Sequence, residues 1–366
     1  MSDAYGTSLL AVLAANLKDR LGGRTARANA RMGYLSPPPG DGRILWIKAP
    51  AHAESVWLAA ELAHAVRECR HDVRLIFTFE EEFAPSTKRI AAVKRAGYGF
   101  GPADRSAAVR RVLERFAPLS GVIAVGASLR PRLASALSAR GIPLVVVHGP
   151  RVDGQYGDVL PNTASEARDA GPHVLAAGPL MSMIVEAQVE PHFRGVAGAH
   201  ARAVWWIADL PDAVLTDVIR QWRASPLAAH DLLFVGARGD LPRLSQWDRQ
   251  PYSVGSVIAV DDDRYWSALA ASATGIHAEQ PGERLLWQIL ASGQVVSFAA
   301  PEGLDLLRPV PSAAVAREGL MAYWQGLIDD PVAARTRADA LRRYFWNERR
   351  HAQDALAALL ARVYEW

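Results

Sequence analysis

The sequence predicts an α/β protein made of two doubly wound, Rossmann-like domains. Short apolar runs rich in Val and Ile alternate with longer alanine-rich stretches of helical period, which is typical of a parallel sheet covered by helices on both faces. This alternation occurs twice in the 366 residues, and single cores usually stop growing before about 300 residues. Because ligands of doubly wound folds bind at the carboxyl ends of strands, we expect a site in a cleft that the two domains face.

The elements follow from this periodicity in chain order. Strands are predicted to begin at Ile44, Val73, Gly121 and Pro143 in the first half, and at Ala203, Asp231, Ser256, Thr274 and Gln294 in the second. Helices are predicted over residues 56–68, 106–116, 212–222, 265–272, 284–292, 312–328 and 331–364, the last one interrupted near Trp346.

The stretch from Leu180 to Ala201 has no clear period and is the predicted linker. We therefore expect an N-terminal domain over residues 1–182 and a C-terminal domain over residues 183–345. Residues 346–366 are predicted to form a helix that packs back on the N-terminal domain.

Charge and composition exclude several classes of protein. The 41 basic and 38 acidic residues are too balanced to indicate a nucleic-acid binder, and the single cysteine, Cys69, cannot form an intramolecular disulfide. No run approaches the roughly 20 apolar residues of a membrane-spanning helix, and the N-terminus does not read as a secretion signal. The prediction is a cytoplasmic protein.

Two further patterns argue against metal and dinucleotide sites. The run Glu80, Glu81 and Glu82 is interpreted as a solvated turn rather than as a metal site. No Gly-x-Gly-x-x-Gly follows the first strand, which argues against an oxidoreductase that uses a dinucleotide. No metal and no cofactor are expected.

An N-terminal helix is predicted from Ser8, with Leu9, Leu10, Leu13, Leu17 and Leu21 near one face. Such a helix either lies on an anionic membrane surface or packs on its own domain, and its short polar face favours packing. A peripheral contact with the inner face of the inner membrane therefore stays open.

The segment around the first strand resembles the transferases of 3-deoxy-D-manno-octulosonic acid (Kdo). Residues 26–55, ARANARMGYLSPPPGDGRILWIKAPAHAES, follow that family's strand, His-Ala-x-Ser-x-Gly-Glu loop and helix. Lys48 stands at the family's histidine, Ala49 at its alanine, Ala51 at its serine, Ala53 at its glycine and Glu54 at its glutamate.

The resemblance continues along the chain with altered motifs. Pro102, Asp104, Pro143 and Arg151 keep their places, whereas GASLRPR, residues 126–132, replaces the family's Glu-x-Glu-Leu-Trp-Pro-Asn. AVWWIADLPDA lacks the family's Ser, Thr, His and Glu. LLFVGARGDLPR follows its Val-Pro-Arg-His-Pro-Glu-Arg, and GERLLWQILASGQVV is similar to the nucleotide-binding helix of two-domain glycosyltransferases, with Gln288 at the usual glutamate.

The resemblance implies a fold of GT-B type and an inverting, metal-independent glycosyltransferase. It also implies that residues 1–182 form the acceptor-side domain and residues 183–345 the nucleotide-sugar-side domain. Such an enzyme would move Kdo or a related acidic sugar from a CMP-linked donor to lipid A or another surface-glycan acceptor. The altered motifs keep a second reading open, a catalytically inactive binding or scaffold protein of lipopolysaccharide or surface-glycan assembly. Neither reading involves nucleic acid.

The implied catalytic base is Glu54, although a carboxylate at a helix start also complements the helix dipole by about 0.3 to 1 kcal/mol. Acceptor contacts are expected from Lys48, His52 and Arg151, for which a solvated loop or a surface salt bridge is the alternative. Donor contacts are expected from Arg238, from Gly275 and His277 in a loop that ends at Gly282, and from Gln288, whose amide would meet the ribose.

Overall fold

The structure is a computed structural model, and it describes residues 4–152, 157–186, 201–236, 254–259, 266–279 and 281–366. The chain divides into two compact units. Unit 1 comprises Met1–Leu180 and His351–Trp366, and unit 2 comprises Met181–Arg350.

Unit 1 is a doubly wound sheet. Among its described residues, six parallel strands are arranged in the order β3-β2-β1-β4-β5-β6. The strands are β1 (Ile44–Lys48), β2 (Arg74–Phe79), β3 (Ala96–Phe100), β4 (Leu119–Val125), β5 (Leu144–Val147) and β6 (Asp158–Leu160). The helices are α1 (Leu9–Leu21), α2 (Thr25–Arg31), α3 (Ala53–Cys69), α4 (Ala84–Ala91), α5 (Ser106–Arg115), α6 (Pro131–Ser138) and α7 (Ala164–Ala170).

Unit 2 repeats the same winding. The described part of this unit forms a parallel sheet in the order β12-β11-β10-β7-β8-β9. The strands are β7 (Val204–Ala208), β8 (Leu232–Val235), β9 (Val257–Ala259), β10 (Gly275–Ala278), β11 (Val295–Phe298) and β12 (Ala313–Ala314). The helices are α8 (Met181–Ile184), α9 (Leu215–Ala224), α10 (Trp266–Ser272), α11 (Glu283–Ala291), α12 (Leu320–Asp329) and α13 (Pro331–Tyr364), which continues into unit 1.

The predicted fold class is confirmed, since each unit has the strand order of a Rossmann-like fold. The central strands are apolar because both faces of the sheet are covered, and every residue of β1 is buried. Parallel strands end at the same edge of a sheet. In each unit this carboxyl edge is where loops lead into helices, and it carries the candidate site.

Each unit has its own aromatic core. In unit 1, Trp46 packs edge-on against Phe116 with ring centroids 5.3 Å apart, and its indole N–H donates to Thr78 Oγ1 at 2.8 Å. In unit 2, Trp205 stacks on Trp324 at 4.8 Å. Buried indole rings remove large apolar areas from water, which anchors the sheet to its covering helices.

Arg70 binds the last turn of α13 and Trp366 beyond it. Arg70 donates from Nη1 to the carbonyl of Val363 at 2.6 Å and from Nη2 to that of Trp366 at 3.3 Å. The ring of Trp366 lies directly over Gly121, where a Cβ would overlap it. The close approach of these two residues explains a glycine in the central strand β4.

The leucines of α1 point away from the protein. Leu9, Leu10, Leu13, Leu17 and Leu21 are 47 to 81% exposed. The buried face instead carries polar groups, because Asp19 pairs with Arg31 of α2 at 2.7 Å and Asn16 accepts from the same guanidinium at 3.2 Å. The helix therefore packs on its own domain, as the sequence favoured, but through this polar face and not through its leucines. None of the helices in the described ranges is both long and apolar enough to cross a membrane.

Local periodicity missed three of the four edge strands in the described part of the chain and misplaced one helix. Strands β3, β6 and β12 are half-buried or very short, so they carry little apolar signal. Helix α12 begins at Leu320, eight residues after the predicted start, because Ala313–Ala314 pairs with β11. Helix α13 runs through Trp346 without interruption, and that indole is 55% exposed.

Candidate functional site

Lys48 lies inside unit 1 and is not part of a loop. It is the last residue of β1, and its exposed fraction is 1%. Its ammonium donates to Glu80 Oε1 at 3.2 Å and to the carbonyl of Ser128 at 2.6 Å, and the Ser128 hydroxyl donates back to the Lys48 carbonyl at 2.9 Å. Burial lowers the pKa of Lys48, and the carboxylate of Glu80 opposes that shift. The acceptor contact expected of Lys48 finds no support in this position.

Glu80 links three elements at the carboxyl edge of the unit 1 sheet. It directly follows β2 and is only 3% exposed, so the expected solvated turn is wrong for this residue. Its second carboxylate oxygen, Oε2, lies 3.2 Å from Nη2 of Arg130, and its backbone carbonyl accepts from Arg27 at 3.0 Å. The side chain of Arg130 retains 30% exposure. A charged residue directly after a strand, on the edge where β1 ends in Lys48, is the sequence signal that could have indicated this cluster.

Glycine brings the loops after β1, β4 and β5 into contact. Gly126 directly follows β4 and has a φ of +56°. It is closely packed, because a Cβ there would lie 2.9 Å from Ser55 Oγ and 3.3 Å from Pro50 Cγ. Gly149, after β5, approaches the Gly126 carbonyl too closely to accept a Cβ. Glycine is therefore required at both positions: at Gly126 by the left-handed conformation and the nearby side chains, and at Gly149 by the close approach of the Gly126 carbonyl.

Glu54 lies at this convergence, in the first turn of α3. It is half-buried, and its neighbour Ser55 makes the contact with the Gly126 loop. His52 occupies the position before the helix and is exposed. Glu54 thus has both features that the sequence left open, a helix start that favours a carboxylate and a loop edge where a ligand could bind.

The two arginines expected at strand ends have different outcomes. Arg151 is exposed in the segment after β5, two residues beyond Gly149. It therefore lies on the same side of the sheet as Glu54. Arg238 lies outside the described residues.

The predicted donor loop of unit 2 is partly a strand. Gly275 and His277 belong to β10, so the expectation of a loop starting at Gly275 is wrong. His277 is fully buried, and its Nδ1 lies 3.1 Å from Ser297 Oγ on β11. Burial, assisted by the charge of Arg317, lowers the pKa of His277 to about 4, so the ring is neutral at pH 7. A direct donor contact from this enclosed side chain finds no support.

Glu279 and Arg317 form a paired group that sequence reasoning missed. Arg317 donates to both carboxylate oxygens of Glu279, at 2.7 and 2.8 Å, just beyond the carboxyl ends of β10 and β12. The two residues are 38 positions apart, so no local pattern joins them. Gln288 lies in α11 and is 7% exposed. Within the described ranges, no three His, Cys, Asp or Glu side chains are grouped as they would be around a metal ion.

Much of unit 1 is similar in sequence to a known family. The family described as 3-deoxy-D-manno-octulosonic-acid transferase (kdotransferase) matches residues 23–158, the part of unit 1 that contains β1 to β5. This chain resembles the Kdo transferases. The match supports a glycosyltransferase, and no curated protein matches the sequence.

Several solved structures have a similar two-domain α/β fold. The UDP-GlcNAc 2-epimerase of Neisseria meningitidis, bound to UDP-GlcNAc, superposes with a TM-score of 0.57 at 12% identity, covering 87% of this chain and 100% of that one. An Anabaena protein in complex with UDP gives 0.54 at 13%, covering 87% and 99%. The calicheamicin glycosyltransferase CalG4 gives 0.52 at 11%, covering 87% and 99%. At these identities the likeness concerns the GT-B type of fold alone.

One retained Kdo transferase motif has a structural role in this chain. Asp104, from the Pro-x-Asp motif, is 2% exposed and accepts from the backbone N–H groups of Arg132 at 3.2 Å and Leu133 at 3.0 Å. These are unpaired donors of the first turn of α6, so Asp104 caps that helix from a distant loop. Its retention is explained without a role in catalysis.

Gly275 carries a testable packing constraint. A Cβ on this residue would lie 2.6 Å from Cζ3 of Trp205, whose ring is held by its stack on Trp324. We expect Gly275→Ala to lower the free energy of unfolding of unit 2 by about 1 to 3 kcal/mol, because the indole has to move. Urea denaturation followed by tryptophan fluorescence measures this loss.

Gly326 provides the matched control for this variant. It lies inside α12 with no atom within 4 Å of an added Cβ. Gly326→Ala should therefore raise the free energy of unfolding by about 0.4 to 1 kcal/mol. Equal stabilities of the two variants would contradict the packing constraint at Gly275.

Proposed function

We propose that this protein is an inverting, metal-independent glycosyltransferase that moves Kdo or a related acidic sugar from a CMP-linked donor to lipid A or another surface-glycan acceptor. The observation that carries the proposal is Glu54. It lies in the first turn of α3, at the edge where three loops meet and inside the segment that matches the Kdo transferases. A half-buried carboxylate at such an edge is suited to act as a general base.

In this proposal Glu54 takes the proton of the acceptor hydroxyl. The acceptor oxygen attacks the anomeric carbon while the bond from that carbon to the CMP phosphate breaks, so a single displacement inverts the configuration. CMP leaves with the bonding electrons. Arg151 and the exposed His52 are proposed to contact anionic groups of the acceptor, since the N–H groups of guanidinium and imidazole donate to anionic oxygens.

The donor is assigned to unit 2. Gln288 is proposed to hydrogen-bond the ribose. The backbone N–H groups after β10 are proposed to bind the phosphate, and His277 to hold β10 in place through its contact with Ser297. Arg238 is proposed as a further phosphate contact. The likeness to proteins whose structures contain UDP-GlcNAc or UDP supports a nucleotide-sugar donor, and it makes UDP a necessary comparison for CMP.

A peripheral contact with an anionic membrane is proposed for α1. Its five leucines are 47 to 81% exposed, and Lys18 and Arg20 lie in its last turn. An apolar face with basic residues beside it is typical of a helix at a membrane surface. Such a contact would bring a lipid-linked acceptor to unit 1.

Nucleotide binding tests the proposed function directly. We expect CMP to stabilise the protein more than CDP, UDP or ADP, because the proposed donor is linked to CMP. A ligand at 100 times its dissociation constant adds about 2.7 kcal/mol to the free energy of unfolding, so the effect is measurable. The measurement is a thermal shift titration confirmed by calorimetry. Gln288→Ala should weaken CMP binding, whereas Gln325→Ala, in α12 with an exposed hydrogen bond to Asp329, should not.

A second candidate is a catalytically inactive binding or scaffold protein of lipopolysaccharide or surface-glycan assembly. The burial of Lys48, at the position of the family's histidine, favours it, because that side chain is fully engaged with Glu80 and Ser128. Failure of all four nucleotides to stabilise the protein at millimolar concentration would favour this candidate over the enzyme.

A further inference from the structure

Arg130 is the one member of the Lys48, Glu80 and Arg130 cluster that reaches the surface. The side chain of Arg130 is 30% exposed, compared with 2% for Lys48 and 5% for Glu80. Its Nη2 is held 3.2 Å from Glu80 Oε2, while Lys48 holds Oε1 of the same carboxylate at 3.2 Å. The buried carboxylate of Glu80 therefore fixes the position of the partly exposed guanidinium at the carboxyl edge of the sheet.

The buried ion pair of Lys48 and Glu80, which holds Arg130, is better explained by orientation than by stability. A buried ion pair contributes little net stability, because the loss of hydration offsets the attraction between the charges. Such a pair does fix geometry, and here two neighbouring strands and the loop after β4 converge on one carboxylate. A guanidinium fixed in this way loses less conformational entropy on binding an anion than a free surface arginine does.

The loop that carries Arg130 also contacts the helix start that carries Glu54. Gly126 packs against Ser55 and Pro50, and Ser128 exchanges two hydrogen bonds with Lys48. Arg130 follows two residues later and directly precedes α6. The oriented guanidinium and the proposed base therefore belong to one set of packed loops.

The loop that carries Arg130 is basic. Residues 126–132 contain Arg130 and Arg132 and no acidic residue. A loop with two guanidinium groups and no carboxylate of its own attracts an anionic ligand.

We propose that Arg130 is a specificity-determining residue that binds a phosphate group of the acceptor beside Glu54. This rests on the proposed function for the identity of the ligand as an acceptor, whereas the anion site itself depends only on the geometry of unit 1. Glu80 and Lys48 are positioning residues for that guanidinium.

Binding of inorganic phosphate tests the site without turnover. At constant ionic strength, we expect Arg130→Ala to weaken phosphate binding at least about tenfold, as expected for the loss of charge-assisted hydrogen bonds. Arg130→Lys should be intermediate, because it keeps the charge and loses the fork. Arg110→Ala, which removes an arginine that is 67% exposed on α5, is the matched control and should bind like the wild type.

Three results would overturn the inference: no phosphate binding by the wild type, binding by Arg130→Ala within twofold of the wild type, or an equal loss in Arg110→Ala. Steady-state kinetics separate it from the proposed function. With a phosphorylated acceptor, Arg130→Ala should raise the acceptor KM and leave kcat nearly unchanged. Sugar transfer with an unaltered KM would reject the role of Arg130 and keep the enzyme, whereas phosphate binding through Arg130 in a protein without transfer would reject the enzyme and keep the anion site.

Discussion

Glu54→Gln is expected to lower the rate of sugar transfer by about 10²- to 10⁴-fold while the protein stays folded. Glutamine has the shape of glutamate, but its amide cannot take the proton of the acceptor hydroxyl. Because Glu54 is in the first turn of α3, the loss of its charge should cost only about 0.3 to 1 kcal/mol of stability. Transfer from CMP-Kdo to a lipid A precursor, with a thermal melt on the same sample, measures both effects.

Glu68→Gln is the control for this experiment. Glu68 is an exposed carboxylate near the opposite end of the same helix, so its removal should leave transfer unchanged. Wild-type turnover in Glu54→Gln would eliminate Glu54 as the base. The donor concentration must be saturating, since the effect is expected in kcat and not in the KM of the donor.

Glu80→Gln is expected to lower the free energy of unfolding of unit 1 by about 3 to 5 kcal/mol, because it leaves the buried ammonium of Lys48 without a counter-charge. Hydrogen exchange of the amides of β1 and β2 in urea reports on this unit. The double variant Lys48→Met with Glu80→Gln should recover most of the loss. Arg220→Met, which breaks an exposed pair with Asp217, should change stability by less than about 1 kcal/mol.

The pH dependence of Glu80→Gln provides an independent test. Burial lowers the pKa of Lys48 in the folded state, so without Glu80 the folded protein binds fewer protons than the unfolded chain between that lowered pKa and the unfolded pKa of about 10.4. Stability of the variant should therefore rise as the pH increases from 7 toward 10. A destabilisation that is independent of pH over this range would show that Lys48 is not the unpaired charge.

Most of the central architecture was predictable from local sequence. The strands β1, β2, β4 and β5 and their counterparts in unit 2 are continuous apolar runs between turn signals, and burial on both faces requires such runs. The edge strand β3 was missed because its residues, AGYGF, are only half-buried or exposed. Periodicity reports the burial of an element, so the weakly buried elements leave little trace.

The candidate site was predictable in part, for a related reason. Glu54 is recognisable from its position after a strand, since a strand, loop and helix form a local unit. The burial of Lys48 could not be predicted, because its hydrogen-bond partners, Glu80 and Ser128, lie 32 and 80 residues away in the sequence. The same holds for Asp104, which caps a helix 28 residues later.

The amino-acid sequence by itself determined the two parallel sheets and the carboxylate at the start of α3, because hydrophobic period and helix-end chemistry act over a few residues. Only the tertiary structure decided that Lys48 is enclosed, that the leucines of α1 face outward, and that Arg130 reaches the surface beside the loop of Glu54. Those outcomes depend on ion pairs and close contacts between distant segments, whose strength is set by burial and geometry that exist only after the chain has folded.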